Sequence, residues 1–182
     1  MNENWLEELR DAIHQNAVNH GWWDEAFPGE ERDLDEVLAL MVSEVSELLE
    51  AYRHGTLDMD CGKAGVTLTN LEEELADVAI RLLDLCGYQR VLPMYFELAK
   101  PYGQTFGGQC FALTKIITQA EPVGTSGYEV AFWAGRVLCQ VMAMYRAWHE
   151  FDTSHPEGFW SKVRAKHAYN QTRSHRHGGL KA

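Results

Sequence analysis

Apolar residues recur along this chain at intervals of three and four, and no segment sustains the alternation of period two that marks a strand. Leu6, Leu9, Ile13 and Ala17 stripe a first helix over residues 3–20, which Gly21 ends. Trp22 and Trp23 then enter the loop GWWDEAFPGEERD, whose Pro, Gly and charges break the pattern. Asp33 with Glu36 begins a second helix that runs to about Arg53, where His54 and Gly55 stop it. The connection from Thr56 to Thr69 is long and glycine-bearing, as expected of a loop that folds over a substrate. Thr69 and Glu72 cap a third helix that reaches Cys86, with Gly87 as its stop.

Further along, Pro93 lies within a short helix candidate ending near Lys100. Two longer helices follow over 106–120 and 128–151, separated by EPVGTSG. Ser154, Pro156 and Glu157 start a last helix, FWSKVRAKHAYNQTR. The pattern therefore predicts an all-α helical bundle. Setting Glu74 on Glu129 also brings Ala76, Ala79, Arg81 and Leu83 onto Ala131, Ala134, Arg136 and Leu138 without a gap. Either residues 88–157 are a worn second copy of helices two and three, or helices of similar composition align by chance. A true repeat would make the chain an internal pseudo-dimer with a degenerate second half, because Asp77 falls on Phe132 and FALTKIITQA carries no acidic pair.

Composition agrees with one domain over residues 1–182, since 46% hydrophobic residues suffice for a core. No apolar run is long enough to span a bilayer, and MNENWLEELR is unlike a secretory signal, so a soluble cytoplasmic protein is expected. A net charge of −11 argues against binding nucleic acid polymers. Its distribution is uneven: of 27 acidic residues, 21 lie at or before Asp84 and none follows Glu157. The basic tail holds Lys162, Arg164, Lys166, Arg173, Arg176 and Lys181, so pairing within the fold or a polyanion bound through a cation would each use the asymmetry. The scattered Cys61, Cys86, Cys110 and Cys139 suggest no zinc ribbon or redox motif, and the last three read as small core residues. His175 and His177 sit in a glycine-flanked tail and do not read as a structural zinc site.

The candidate chemistry lies between Leu38 and Asp84. Glu44 with Glu47, and Glu74 with Asp77, are three apart on striped helices, so each pair projects two carboxylates within about 60° of azimuth. Acidic pairs of this kind are usually solvated surface. Here apolar neighbours crowd both pairs, and like charges gathered and desolvated call for a compensating cation. If the two helices pack antiparallel, four carboxylates pool into a donor set for a hard ion such as Mg²⁺. Glu50 and Glu73 flank the cluster as secondary candidates. On the last helix, Lys162, Lys166, Asn170 and Arg173 form a stripe of donors suited to phosphate oxygens.

The pattern Glu44-x-x-Glu47, an interval of 26 residues, then Glu74-x-x-Asp77 resembles the motif of the all-α nucleoside triphosphate pyrophosphatases, the MazG-like superfamily. SEVSELLEAYRHG and EEELADVAIRLLDLCG resemble its two central helices, and GWWD and KHAYNQTRSHRHGGLKA resemble its phage and bacterial members. The likeness covers residues 1–87 and 160–182 and leaves 88–157 as an insertion or degenerate repeat. It implies a bundle of the MazG-like or dimeric dUTPase type, with a homodimer as one option. It implies Mg²⁺, with Mn²⁺ as a substitute, held by the catalytic Glu44, Glu47, Glu74 and Asp77. It implies hydrolysis of a nucleoside or deoxynucleoside triphosphate to monophosphate and pyrophosphate, in nucleotide-pool control. Trp23, Lys166, Tyr169, Asn170 and Arg173 would contact this substrate. The alternative is a catalytically inactive helical module for regulation or oligomerisation. A di-iron bundle would need Glu-x-x-His, which the chain lacks.

Overall fold

The structure is a computed structural model that describes residues 4–24, 33–94, 98, 100–120, 126–149 and 156–175. Among these residues it forms helices α1 (Trp5–Asn19), α2 (Leu34–Arg53), α3 (Asn70–Tyr88), α4 (Phe106–Thr118), α5 (Gly127–Trp148) and α6 (Pro156–Gln171). Among the described residues, the one β-like contact is an isolated bridge between Asp60 and Thr69. The all-α expectation holds, and no helix among the described residues is long and apolar enough to cross a membrane.

The helix starts follow from their capping residues. Asp33 accepts from the backbone N–H groups of Asp35 and Glu36 at the head of α2. Thr69 with Glu72 closes a full capping box on α3, and Ser126 with Glu129 does the same on α5. Gly21 and Gly55, at φ 77 and 67, take the left-handed turn just past α1 and α2, as the sequence pattern predicts.

α3 is the central element, contacting α1, α2, α5 and α6. Leu71, Leu75, Val78, Leu82 and Leu83 have no exposed surface, each such side chain contributing about 1.5–3 kcal/mol of transfer free energy. α2 packs on both α3 and α4, and α5 on both α3 and α4, so these four helices close a ring. α1 and α6 also touch each other and cover the remaining sides of α3. Cys86, Cys110 and Cys139 are buried in this core.

Two expectations change, and the repeat alignment can be set against the observed helix starts. Gly87 does not end α3, which continues to Tyr88. A Cβ on Gly87 would lie 2.4 Å from the Cβ of His14, so this glycine lets α1 approach α3 closely. Residues 91–94 are irregular, so Pro93 is in no helix there, and 95–97 and 99 lie outside the described residues. Finally, Glu129 is the third helical residue of α5, in its capping box, whereas Glu74 lies two positions deeper in α3. Aligning these two acids therefore sets the two helix starts two residues out of register.

Candidate active site

The four acids of the motif come from facing stretches of α2 and α3. Burial orders them: Glu44 and Glu74 are buried, Asp77 is half-buried, and Glu47 is exposed. Carboxylate oxygens of Glu44, Glu74 and Asp77 lie within 4.8 Å of one another. Glu47 stands outside that closest group, yet its charge acts on both Glu44 and Glu74. Burial pushes the Glu74 carboxyl up to about 8, with Asp77, Glu44 and Glu47 adding to the effect. Burial likewise raises Glu44, against the opposing charge of Arg81.

The chain supplies its own cations. Arg81 donates from Nε to Glu44 Oε1 at 2.6 Å, and a second guanidinium nitrogen lies 2.6 Å from the same oxygen. Lys166, 1% exposed, pairs with Glu73 and reaches Asp77 Oδ2 at 2.6 Å. Lys63, from the connection between α2 and α3, also pairs with Glu73. An oxygen-only donor set of three converging carboxylates suits Mg²⁺, so the residues present fit the ion that the resemblance implies.

These groups border a cavity of about 540 Å³, within the usual range for small-molecule sites. Glu44, Glu47, Asp77, Lys63 and Arg81 line its polar part. Ile13, Ala17, Val37 and Leu40 line its apolar part, with Trp22 and Trp23 beside them. Trp23 stacks on Tyr88 at 4.4 Å and donates from Nε1 to Asp84 at 2.9 Å. The same Asp84 oxygen lies 2.7 Å from Nδ1 of His14. α6 contributes His167 and Asn170, and Arg173 joins them from two residues past its end, where the expected helix through Arg173 has already stopped at Gln171. His20 bridges α1 to the end of α6, with Nε2 2.8 Å from the Arg173 carbonyl oxygen. Nδ1 of His167 and Oδ1 of Asn170 are buried with no hydrogen-bond partner, two unsatisfied polar atoms one turn apart.

The expected site residues thus fall into groups. Glu44, Glu47, Asp77, Trp23, Asn170 and Arg173 border the cavity, and Glu74 backs the acid cluster. Lys166 does not line it, because its ammonium is spent on Glu73 and Asp77 beneath the wall. Tyr169 stands off the lining too, its ring 5.9 Å from the Lys166 ammonium. Lys162 pairs with Glu72 at 3.0 Å, so the donor stripe on α6 divides between internal ion pairs and the cavity. Glu73 anchors Lys63 and Lys166, while Glu50 is exposed and pairs locally with Arg53 and His54. His175 approaches Asp24 at 3.5 Å, and His177 lies outside the described residues.

Lys63, Arg81, Asp84, His14 and His167 were not among the expected site residues. Spacing could have flagged two of them: Arg81 and Asp84 follow Asp77 by four and seven residues, on the same helical face. Lys63 lies in a GKAG string, a weaker cue. Nothing in the sequence pattern marks His14 or His167. Compared with family models, with curated proteins and with solved structures, the chain matches none of them.

Proposed function

We propose that this protein hydrolyses a nucleoside triphosphate, in particular a deoxynucleotide, to the monophosphate and pyrophosphate. The observation that carries the reading is the meeting of Glu44, Glu74 and Asp77 from two helices at the wall of a nucleotide-sized cavity. Glu44, Glu47, Glu74 and Asp77 would hold Mg²⁺, or Mn²⁺ in its place. When bound, that ion supplies counter-charge for phosphate oxygens and lowers the pKa of a coordinated water. Glu47, the most exposed of the four, is the carboxylate best placed to accept a proton from water in the cavity. Trp22 and Trp23 offer aromatic surface to a base, and Arg173 a guanidinium to the anionic substrate. Asn170 adds an unsatisfied buried acceptor on the same wall.

The bundle reading is of the MazG-like type, with α4 and α5 in the place of a second subunit's helices. What supports it is that α4 lies on α2 and α5 lies on α3, as two related helix pairs would across a two-fold axis. An inactive helical module is the competing reading. It is favoured by the pairs Arg81–Glu44 and Lys166–Asp77, which neutralise two of the carboxylates from within the chain.

The test is pyrophosphate release from a panel of ordinary and modified nucleoside triphosphates, with Mg²⁺ and with chelator. Release that chelator abolishes is expected from at least one substrate. Glu47→Gln and Asp77→Asn should each lower kcat by more than about 100-fold, the upper range for losing a mere supporting partner of a ligand, with helical content retained. No release from any substrate by the folded protein would select the inactive module.

A further inference from the structure

Two ammonium groups, Lys63 and Lys166, meet the same oxygen of Glu73. One carboxylate balances one of them. Lys166 is 1% exposed and has Asp77 as a second partner, so it is the fixed member of the pair. Lys63 is a third exposed, lines the cavity and stands within electrostatic reach of Asp77 and Glu74. Burial and the neighbouring Lys166 both disfavour its charged form, a penalty that an incoming anion would relieve.

The backbone beneath Lys63 is held in place. Leu57, Val66 and Leu68 are buried and anchor the connection between α2 and α3. The N–H of Cys61 donates to the Leu68 carbonyl at 3.0 Å, and that of Asn70 to the Met59 carbonyl at 2.9 Å, making a short stem. At its tip Gly62 and Gly65 adopt φ of 73 and 82, and the N–H of Val66 donates to the Lys63 carbonyl at 3.2 Å. Nothing lies within 4 Å of where a Cβ on either glycine would be, so they serve the turn and not close packing. Turning toward a ligand therefore requires rotation only of the long Lys63 side chain.

We propose that Lys63 is a polyphosphate-binding residue, whose ammonium moves from Glu73 to a phosphate oxygen of the bound substrate while Lys166 stays on Glu73 and Asp77. The proposal rests on the triphosphate reading of the same cavity and identifies a group from the α2–α3 connection that meets the phosphate chain beside Lys166 of α6. An ammonium on a flexible stem suits this task, because it follows a phosphate without the fixed fork of an arginine. The contrasting role is a purely structural ion pair with Glu73.

The experiment is calorimetric binding of Mg²⁺-tripolyphosphate to the wild-type protein, Lys63→Ala and Lys63→Arg, with thermal melting of each without ligand. Lys63→Ala is expected to weaken binding about tenfold or more, with Lys63→Arg retaining most of the affinity, since charge-assisted contacts carry the binding. Melting of the unliganded variants should change little, because Glu73 keeps its buried ion-pair partner Lys166. Equal affinity in wild type and Lys63→Ala overturns the proposal, as does wild-type protein that binds no tripolyphosphate. Binding that depends on Lys63 in a protein that hydrolyses no nucleotide would remove the hydrolase reading and leave this one standing. Hydrolysis with KM and tripolyphosphate affinity unaltered by Lys63→Ala would do the reverse.

Discussion

Glu74 concentrates the electrostatic problem of this molecule in one side chain. It sits among Asp77, Glu44 and Glu47, and its carboxyl is pushed from 4.5 up to about 8, above all by burial. A carboxyl held above its unfolded value binds its proton more tightly in the folded chain, so its contribution to stability falls as pH rises through that window. With chelator present, the melting temperature should decline from about pH 4.5 to about pH 8 and level off beyond. Glu74→Gln should flatten the decline, and Mg²⁺ should raise the melting temperature most near the alkaline end. A wild-type profile no steeper than that of Glu74→Gln would show that Glu74 is not the residue responsible. That Glu74 belonged to an acidic cluster was legible from its spacing. That Lys166 would answer part of the charge was not, because it is far away in the chain, whereas Arg81, four residues after Asp77, lay within reach of the same spacing argument.

At the scale of elements, the caps were the most readable features. Thr69 with Glu72 makes its capping box from residues three apart, and Asp33 meets its N–H partners two and three residues on, so nothing distant is needed. Gly87 shows the opposite case. A glycine after an apolar stripe reads as a helix stop, yet its function depends on His14 of α1. Alanine there would recover about 1 kcal/mol of helix propensity but introduce a contact at 2.4 Å with another side chain's Cβ, the overpacking that costs about 1–3 kcal/mol. Gly87→Ala should therefore lower the melting temperature by several degrees, through displacement of α1 from α3, and an unchanged or raised value would refute that packing. The same shift would disturb the His14–Asp84 contact at the cavity wall.

For the whole molecule, α3 is the shared wall of two assemblies, the ring α2–α3–α5–α4 and the cover made by α1 and α6. Because both bury side chains against one helix, the chain should unfold in a single transition. Far-ultraviolet circular dichroism and tryptophan fluorescence should give coincident melting curves, with Trp133 reporting on the α4–α5 side and Trp5 and Trp160, 4.9 Å apart, on the other. Separated transitions would instead make residues 88–157 an independent insertion. The sequence alone determined the all-helical class, most helix starts and the acidic pairs, because local periodicity and capping act over a few residues. Only the tertiary structure decided that Lys166 lies under the cavity while Lys63 lines it, that Asp84 meets His14 and Trp23, and that Gly87 is a packing residue. Each depends on which distant side chain occupies the adjoining space, and steric exclusion and desolvation settle that only once the helices have assembled.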